Sequence, residues 1–91
     1  DVNNNPRNPV IGFRSFGEDK LNVAAKGVAY VRGFQSNSVL AVAKHFPGHG
    51  GVGVDSHLGL PLFSGSREEL EPHLGPFRAA IGAGVCAVMV G

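Results

Sequence analysis

The stretch Val39-Leu40-Ala41-Val42-Ala43-Lys44-His45-Phe46-Pro47-Gly48-His49-Gly50 joins an apolar run to a loop rich in glycine and histidine. Residues 39–43 are short and continuously apolar, as in a strand buried on both faces. Lys44 and His45 follow that run directly, and the loop is expected to occupy about residues 46–60, with Pro61 helping to end it. Upstream, Leu21, Ala24, Ala25, Val28 and Val31 keep helical spacing within 18–34. Arg32 suits the last turn of that helix, and Gly33 sits at the position of a C-terminal cap. Downstream, Ser66 and Glu69 form a capping-box pattern that opens a second helix. Its apolar stripe is Leu70, Leu74, Phe77, Ala80 and Ile81, and Pro72, Gly75 and Pro76 predict a break near its middle. Gly82 and Gly84 close it, and a last strand begins near Val85.

The order is therefore loop, helix, strand, loop, helix, strand. Apolar strands alternating with helices indicate a parallel sheet in an α/β protein. In such folds ligands lie beyond the carboxyl ends of the strands. Residues 1–17 hold the turn formers Asn3, Asn4, Asn5, Pro6, Asn8, Pro9, Gly12 and Gly17, a loop long enough to be functional. Asp1-Val2-Asn3 reads as the end of an earlier strand. That loop, Lys44, His45 and the glycine–histidine loop are expected to converge on one face.

Composition narrows the partners. The 91 residues are 43% hydrophobic and 16% charged, which fits a globular protein, and 14 glycines exceed the usual ~7%. A net charge of +1 gives no reason to invoke nucleic acid or an acidic membrane surface. The longest apolar run falls well short of the ~20 residues of a membrane span. A single cysteine, Cys86, excludes an internal disulfide and fits a reducing, cytoplasmic compartment while leaving secretion open. Both ends read as cuts inside a longer domain. Asp1 is preceded by no initiator Met or signal-peptide pattern, and Val85-Cys86-Ala87-Val88-Met89-Val90-Gly91 is a strand signal with nothing after it to pack on.

The loop chemistry admits several readings. His45, His49, Asp55 and His57 are metal-ligand types, but their spacing matches no standard signature and Lys44 adds a repelling charge. Gly48-His49-Gly50-Gly51-Val52-Gly53 is glycine-rich yet lacks the phosphate-loop arrangement. Asp55 and His57 are one residue apart, so both side chains can lean to one side in a turning loop. A carboxylate on an imidazole fixes its tautomer and raises its basicity, which suits proton transfer to a leaving oxygen and from water. An isolated pair of this kind more often caps a loop; its setting favours chemistry. Arg14, between Phe13 and Phe16, either binds a ligand or holds backbone carbonyls. Asn3 and Asn5 read as turn formers, His73 as a surface residue and Cys86 as core. Arg7, Lys20, Lys26, Arg32, Arg67 and Arg78 read as solvated charges.

Lys44-His45-Phe46-Pro47-Gly48-His49-Gly50, with Asp55-Ser56-His57 and Leu60-Pro61, closely resembles the β-N-acetylhexosaminidase branch of the family-3 glycoside hydrolases. Asp1-Val2-Asn3, Asn8-Pro9-Val10-Ile11-Gly12, Arg14-Ser15-Phe16-Gly17 and Phe77-Arg78-Ala79-Ala80-Ile81 extend the likeness along nearly the whole chain. Gly51 stands where the family often carries Asp or Ala. The resemblance implies an internal slice, residues 1–91, of a (β/α)₈ TIM-type barrel, which needs ~250 residues in full.

It also implies a retaining exo-β-N-acetylglucosaminidase acting on peptidoglycan fragments or chitooligosaccharides through a glycosyl-enzyme intermediate. His57 matches the acid/base and Asp55 its dyad partner, while Arg14, Lys44 and His45 match positions that hold sugar hydroxyls. The family nucleophile is an Asp on a later strand, so the chain by itself is expected to be inactive. The expected partner is a β-linked N-acetylglucosamine substrate, with no cofactor, metal, nucleic acid or membrane. A related β-glucosidase, a non-catalytic sugar-binding homologue and a metal-dependent hydrolase are the alternatives.

Overall fold

The computed structural model describes residues 1–50 and 65–91 of the chain. A 3₁₀ turn over Gly12–Arg14 precedes helix α1 (Lys20–Gln35), strand β1 (Val42–Phe46), helix α2 (Arg67–Gly82) and strand β2 (Ala87–Val90). β1 and β2 pair in parallel with Val42 opposite Ala87, Ala43 opposite Val88 and Lys44 opposite Met89. The register slips between Lys44 and Phe46, which faces Val90. Parallel neighbours joined through a helix make a βαβ unit, and α1 packs beside α2. Val31 of α1, Ala41 and Ala80 of α2 form the shared core, with Ala43, Ala83 and Val85 packed against it.

Each helix starts as its sequence directs. Asp19 accepts from the Asn22 N–H at 2.9 Å and Ser66 from the Glu69 N–H at 3.2 Å, satisfying donors that have no partner within the helix. Both helices end in Schellman turns. In α2 the left-handed position falls to Gly84 (φ 80°), with the Val85 N–H donating to Ala80 O. In α1 the corresponding residue is Ser38 (φ 63°), with the Val39 N–H donating to Phe34 O and the Ser38 N–H to Gln35 O. Gly33 is therefore helical rather than the cap, and α1 runs two residues past it. A side chain in left-handed backbone costs about 1 kcal/mol, so Ser38→Gly is expected to raise stability by about that much, read from the denaturant midpoint. An unchanged or lower midpoint would mean that Ser38 repays its strain elsewhere.

Three further expectations need correction. The first strand lies at 42–46 rather than 39–43, so Lys44 and His45 belong to it instead of following it. The Schellman turn at Ser38 and Val39 delays entry into the sheet, leaving Leu40 76% exposed. β1 is also half-open rather than buried on both faces, because among the described residues it pairs with β2 alone. Secondly, α2 continues through Pro72 and Pro76 without a break. The prolines are four apart, so their missing N–H groups lie on one stripe while His73, Phe77 and Ala80 keep a continuous buried face. Thirdly, Cys86 is exposed rather than core, since it lies in the turn entering β2.

That turn is held from α1. Gln35 Nε2 donates to Gly84 O and the Cys86 N–H donates to Gln35 Oε1, each at 2.8 Å. Arg78 stays on the surface, where it pairs with Glu71. The peptide bonds Lys44–His45 and Phe46–Pro47 are cis.

Candidate active site

The carboxyl end of β1 meets the start of the chain. The Asp1 backbone nitrogen donates to Lys44 O at 2.9 Å, so Asp1 lies beside the strand end as the sequence implied, although residues 1–5 carry no assigned strand. From there its carboxylate, 4% exposed, reaches both histidines of the loop entry. Oδ2 accepts from the His45 backbone N–H at 3.1 Å and lies 2.7 Å from His45 Nδ1. Oδ1 accepts from the His49 backbone N–H at 2.7 Å. The two imidazole rings lie 5.6 Å apart, centroid to centroid.

Electrostatics keep His45 neutral. Burial pushes its pKa down to about 4, and the positive charges of Lys44 and Arg14 push the same way. The Asp1 carboxylate on Nδ1 pulls in the opposite sense. A histidine depressed below its unfolded value stabilises the fold above pH ~6.5, and that contribution is lost as pH falls towards 4.

Arg14 ends the 3₁₀ turn, and Asn8 braces the residues just before that turn. Asn8 Oδ1 accepts from Val10 and Ile11, and Asn8 Nδ2 donates to His49 O at 2.7 Å. Ser15 Oγ lies 2.7 Å from Asp1 O and accepts from the Gly17 N–H. The loop that carries Arg14 is thus tied at both ends to the β1 terminus. Arg14 itself is exposed, and among the described residues its guanidinium makes only a long contact, from Nη1 to Val10 O at 3.5 Å. Its aromatic neighbours do not enclose it, for Phe16 turns to Tyr30 at 5.4 Å and Phe13 stands in solvent. Arg14 shares a cleft of about 400 Å³ with Asp1 and Lys44; its inner length is apolar and runs past Val31, Phe77 and Ala80.

Of the sequence-derived site residues, Arg14, Lys44 and His45 therefore come together. Asp55 and His57 lie outside the described residues. Asp1, Asn8 and Ser15 were missed as site-building residues, since their partners lie up to 48 residues away. Asn8 alone left a local trace, an Asn before Pro at the opening of a turn. His73 was misplaced at the surface; it is 2% exposed because it shares the stripe of Phe77 and Ala80. Its Nε2 lies 3.3 Å from Asn4 Nδ2, and burial lowers its pKa. Its Cβ would come within 2.6 Å of a Cβ on Gly48, whose φ of 144° already favours glycine.

Parallel strands joined through a helix, with a polar cluster at the strand ends, define an α/β unit whose candidate site lies on the carboxyl face. The model of the glycosyl hydrolase family 3 N-terminal domain matches residues 1–91. The chain belongs to that family. It is 48% identical over 84 residues to a β-hexosaminidase A of Pseudoalteromonas piscicida, covering 91% of this chain and 14% of that protein. It is 46% identical over 92 residues to a β-N-acetylglucosaminidase/β-glucosidase of Cellulomonas fimi, covering 100% of this chain and 16% of that protein. A family-3 β-N-acetylglucosaminidase structure from Paenibacillus sp. FPU-7 superposes with a TM-score of 0.97 at 54% identity, over 100% of this chain and 18% of its own. The chain thus spans less than a fifth of each of these relatives and forms an α/β slice of the family's barrel.

Proposed function

We propose that the whole protein is a retaining exo-β-N-acetylglucosaminidase and that residues 1–91 are part of its catalytic barrel. The observation that carries this reading is the strand end where Asp1 gathers the His45–His49 segment beside Lys44 and Arg14. The names of the relatives support the substrate class. In this reading Arg14, Lys44 and His45 hold hydroxyls of the sugar whose glycosidic bond is cut. His57 donates its proton to the leaving oxygen while a carboxylate on a strand outside this chain bonds to the anomeric carbon. His57 then takes a proton from the water that releases the sugar, and Asp55 fixes the imidazole tautomer throughout. Peptidoglycan fragments and chitooligosaccharides both present the required terminal sugar.

The test is hydrolysis of a chromogenic β-N-acetylglucosaminide against the matching β-glucoside by the full-length protein. Preference for the N-acetyl sugar is the expected result. Equal turnover of both would favour the second reading, a broader β-glucosidase, which the double name of the Cellulomonas fimi relative supports. A folded protein that turns over neither would be a sugar-binding homologue.

A further inference from the structure

We propose that Asp1 is a positioning residue for His45: its carboxylate holds the proton of the neutral ring on Nδ1 and leaves Nε2 as the only ring acceptor for a sugar hydroxyl. The inference deepens the proposed function, because it rests on His45 touching the substrate. Its structural part stands on geometry alone. Asp1 Oδ2 lies 2.7 Å from His45 Nδ1, and the same oxygen accepts the His45 backbone N–H at 3.1 Å. Ring and backbone of one residue are thus fixed by one atom, which sets the side-chain torsion as well as the tautomer. The other oxygen, Oδ1, is occupied by the His49 backbone N–H at 2.7 Å. The carboxylate is 4% exposed and His45 18%, so water competes weakly for either group.

An ionised carboxylate can only accept, which forces Nδ1 to be the donor. A neutral imidazole carries one ring proton, so Nε2 is left with its lone pair. Burial and the charges of Lys44 and Arg14 favour the neutral ring, against the pull of the Asp1 carboxylate on Nδ1. Arg14 and Lys44 line one cleft with Asp1, the residue bonded to His45, and offer only donors, so a sugar hydroxyl facing them gives its lone pairs to them. The hydroxyl's own proton then needs an acceptor. His45 Nε2 supplies one, which gives the site a complementary set rather than cations alone.

Asp1→Asn disturbs this arrangement. With the amide nitrogen on the His45 side, Nδ1 must be unprotonated and Nε2 becomes a donor; with it on the His49 side, the His49 N–H loses its acceptor and the His45 tautomer is kept. In the full-length protein kcat/KM for the N-acetylglucosaminide should fall about 10- to 100-fold, as when an outer partner of a working histidine is removed. In a His45→Ala background the same change should cost less than about twofold, because no ring is left to orient. An undiminished cost there would overturn the proposal and make Asp1 a loop brace acting through the His49 N–H. Nitrogen-15 NMR of the unsubstituted protein gives an independent answer even if Asp1→Asn does not fold. A proton on His45 Nδ1 is expected; a proton on Nε2 would overturn the proposal. If His45→Ala alone leaves kcat/KM unchanged, the sugar contact fails, and with it the role for Nε2, while the NMR result still decides the tautomer.

Discussion

Replacing His57 by Ala in the full-length protein is expected to lower kcat by about 10²–10⁴-fold for substrates with poor leaving groups. The loss should shrink markedly for aryl glycosides, whose phenolate departs with little protonation. The asymmetry is the diagnostic part. An acid that protonates the leaving oxygen matters in proportion to the basicity of that oxygen. A residue that merely shapes the loop harms good and poor leaving groups alike. Equal losses across a leaving-group series would remove His57 from the acid role and return Asp55–His57 to a loop-capping pair. The alkaline limb of the pH profile should disappear in the variant as well, since the group that must carry a proton is gone.

Gly50→Ala is expected to destabilise the protein by at least about 3 kcal/mol, read as a lower denaturant midpoint. A Cβ at that position would sit 1.9 Å from Val2 O and 2.6 Å from the Val2 carbonyl carbon. Both obstacles are backbone, and Val2 is itself 1% exposed, so neither can swing aside as a side-chain tip would. The strand-end loop therefore approaches the beginning of the chain more closely than any side chain permits. Gly33→Ala is the matching control: it lies within α1 with nothing inside 4 Å, and removing a helical glycine there should stabilise by about 0.5–1 kcal/mol. A mild effect at Gly50 would show that Val2 and its neighbours shift freely.

Periodicity and capping carried the fold. The Ser66–Glu69 cap and the presence of both helices and both strands were legible from local chemistry, but the α1 stripe was misplaced: Leu21 is exposed, and Val23 is buried with Val31. The errors arose where local preference met tertiary burial. Pro72 and Pro76 speak for a break, yet the buried face of His73, Phe77 and Ala80 runs through them. Gly33 offered itself as a cap, but Ser38 took the left-handed position, because the chain turns where β1 must begin rather than where glycine stands. In the site, Lys44 and His45 could be found from their own pattern. Asp1 could not, because a carboxylate becomes a partner only when folding brings residues 1 and 45 together.

Asn8 ties the dynamics of two segments into one. Its oxygen is committed to the turn before Arg14, and its nitrogen to the carbonyl of His49. Separating them strands a buried amide or a carbonyl, at about 1–3 kcal/mol. The Arg14 loop and the histidine turn are consequently coupled, since displacing one breaks bonds that hold the other. In the proposed reading, a sugar held from the Arg14 side would restrain His49 as well, so the entropy of ordering both segments would be lost in one step instead of two.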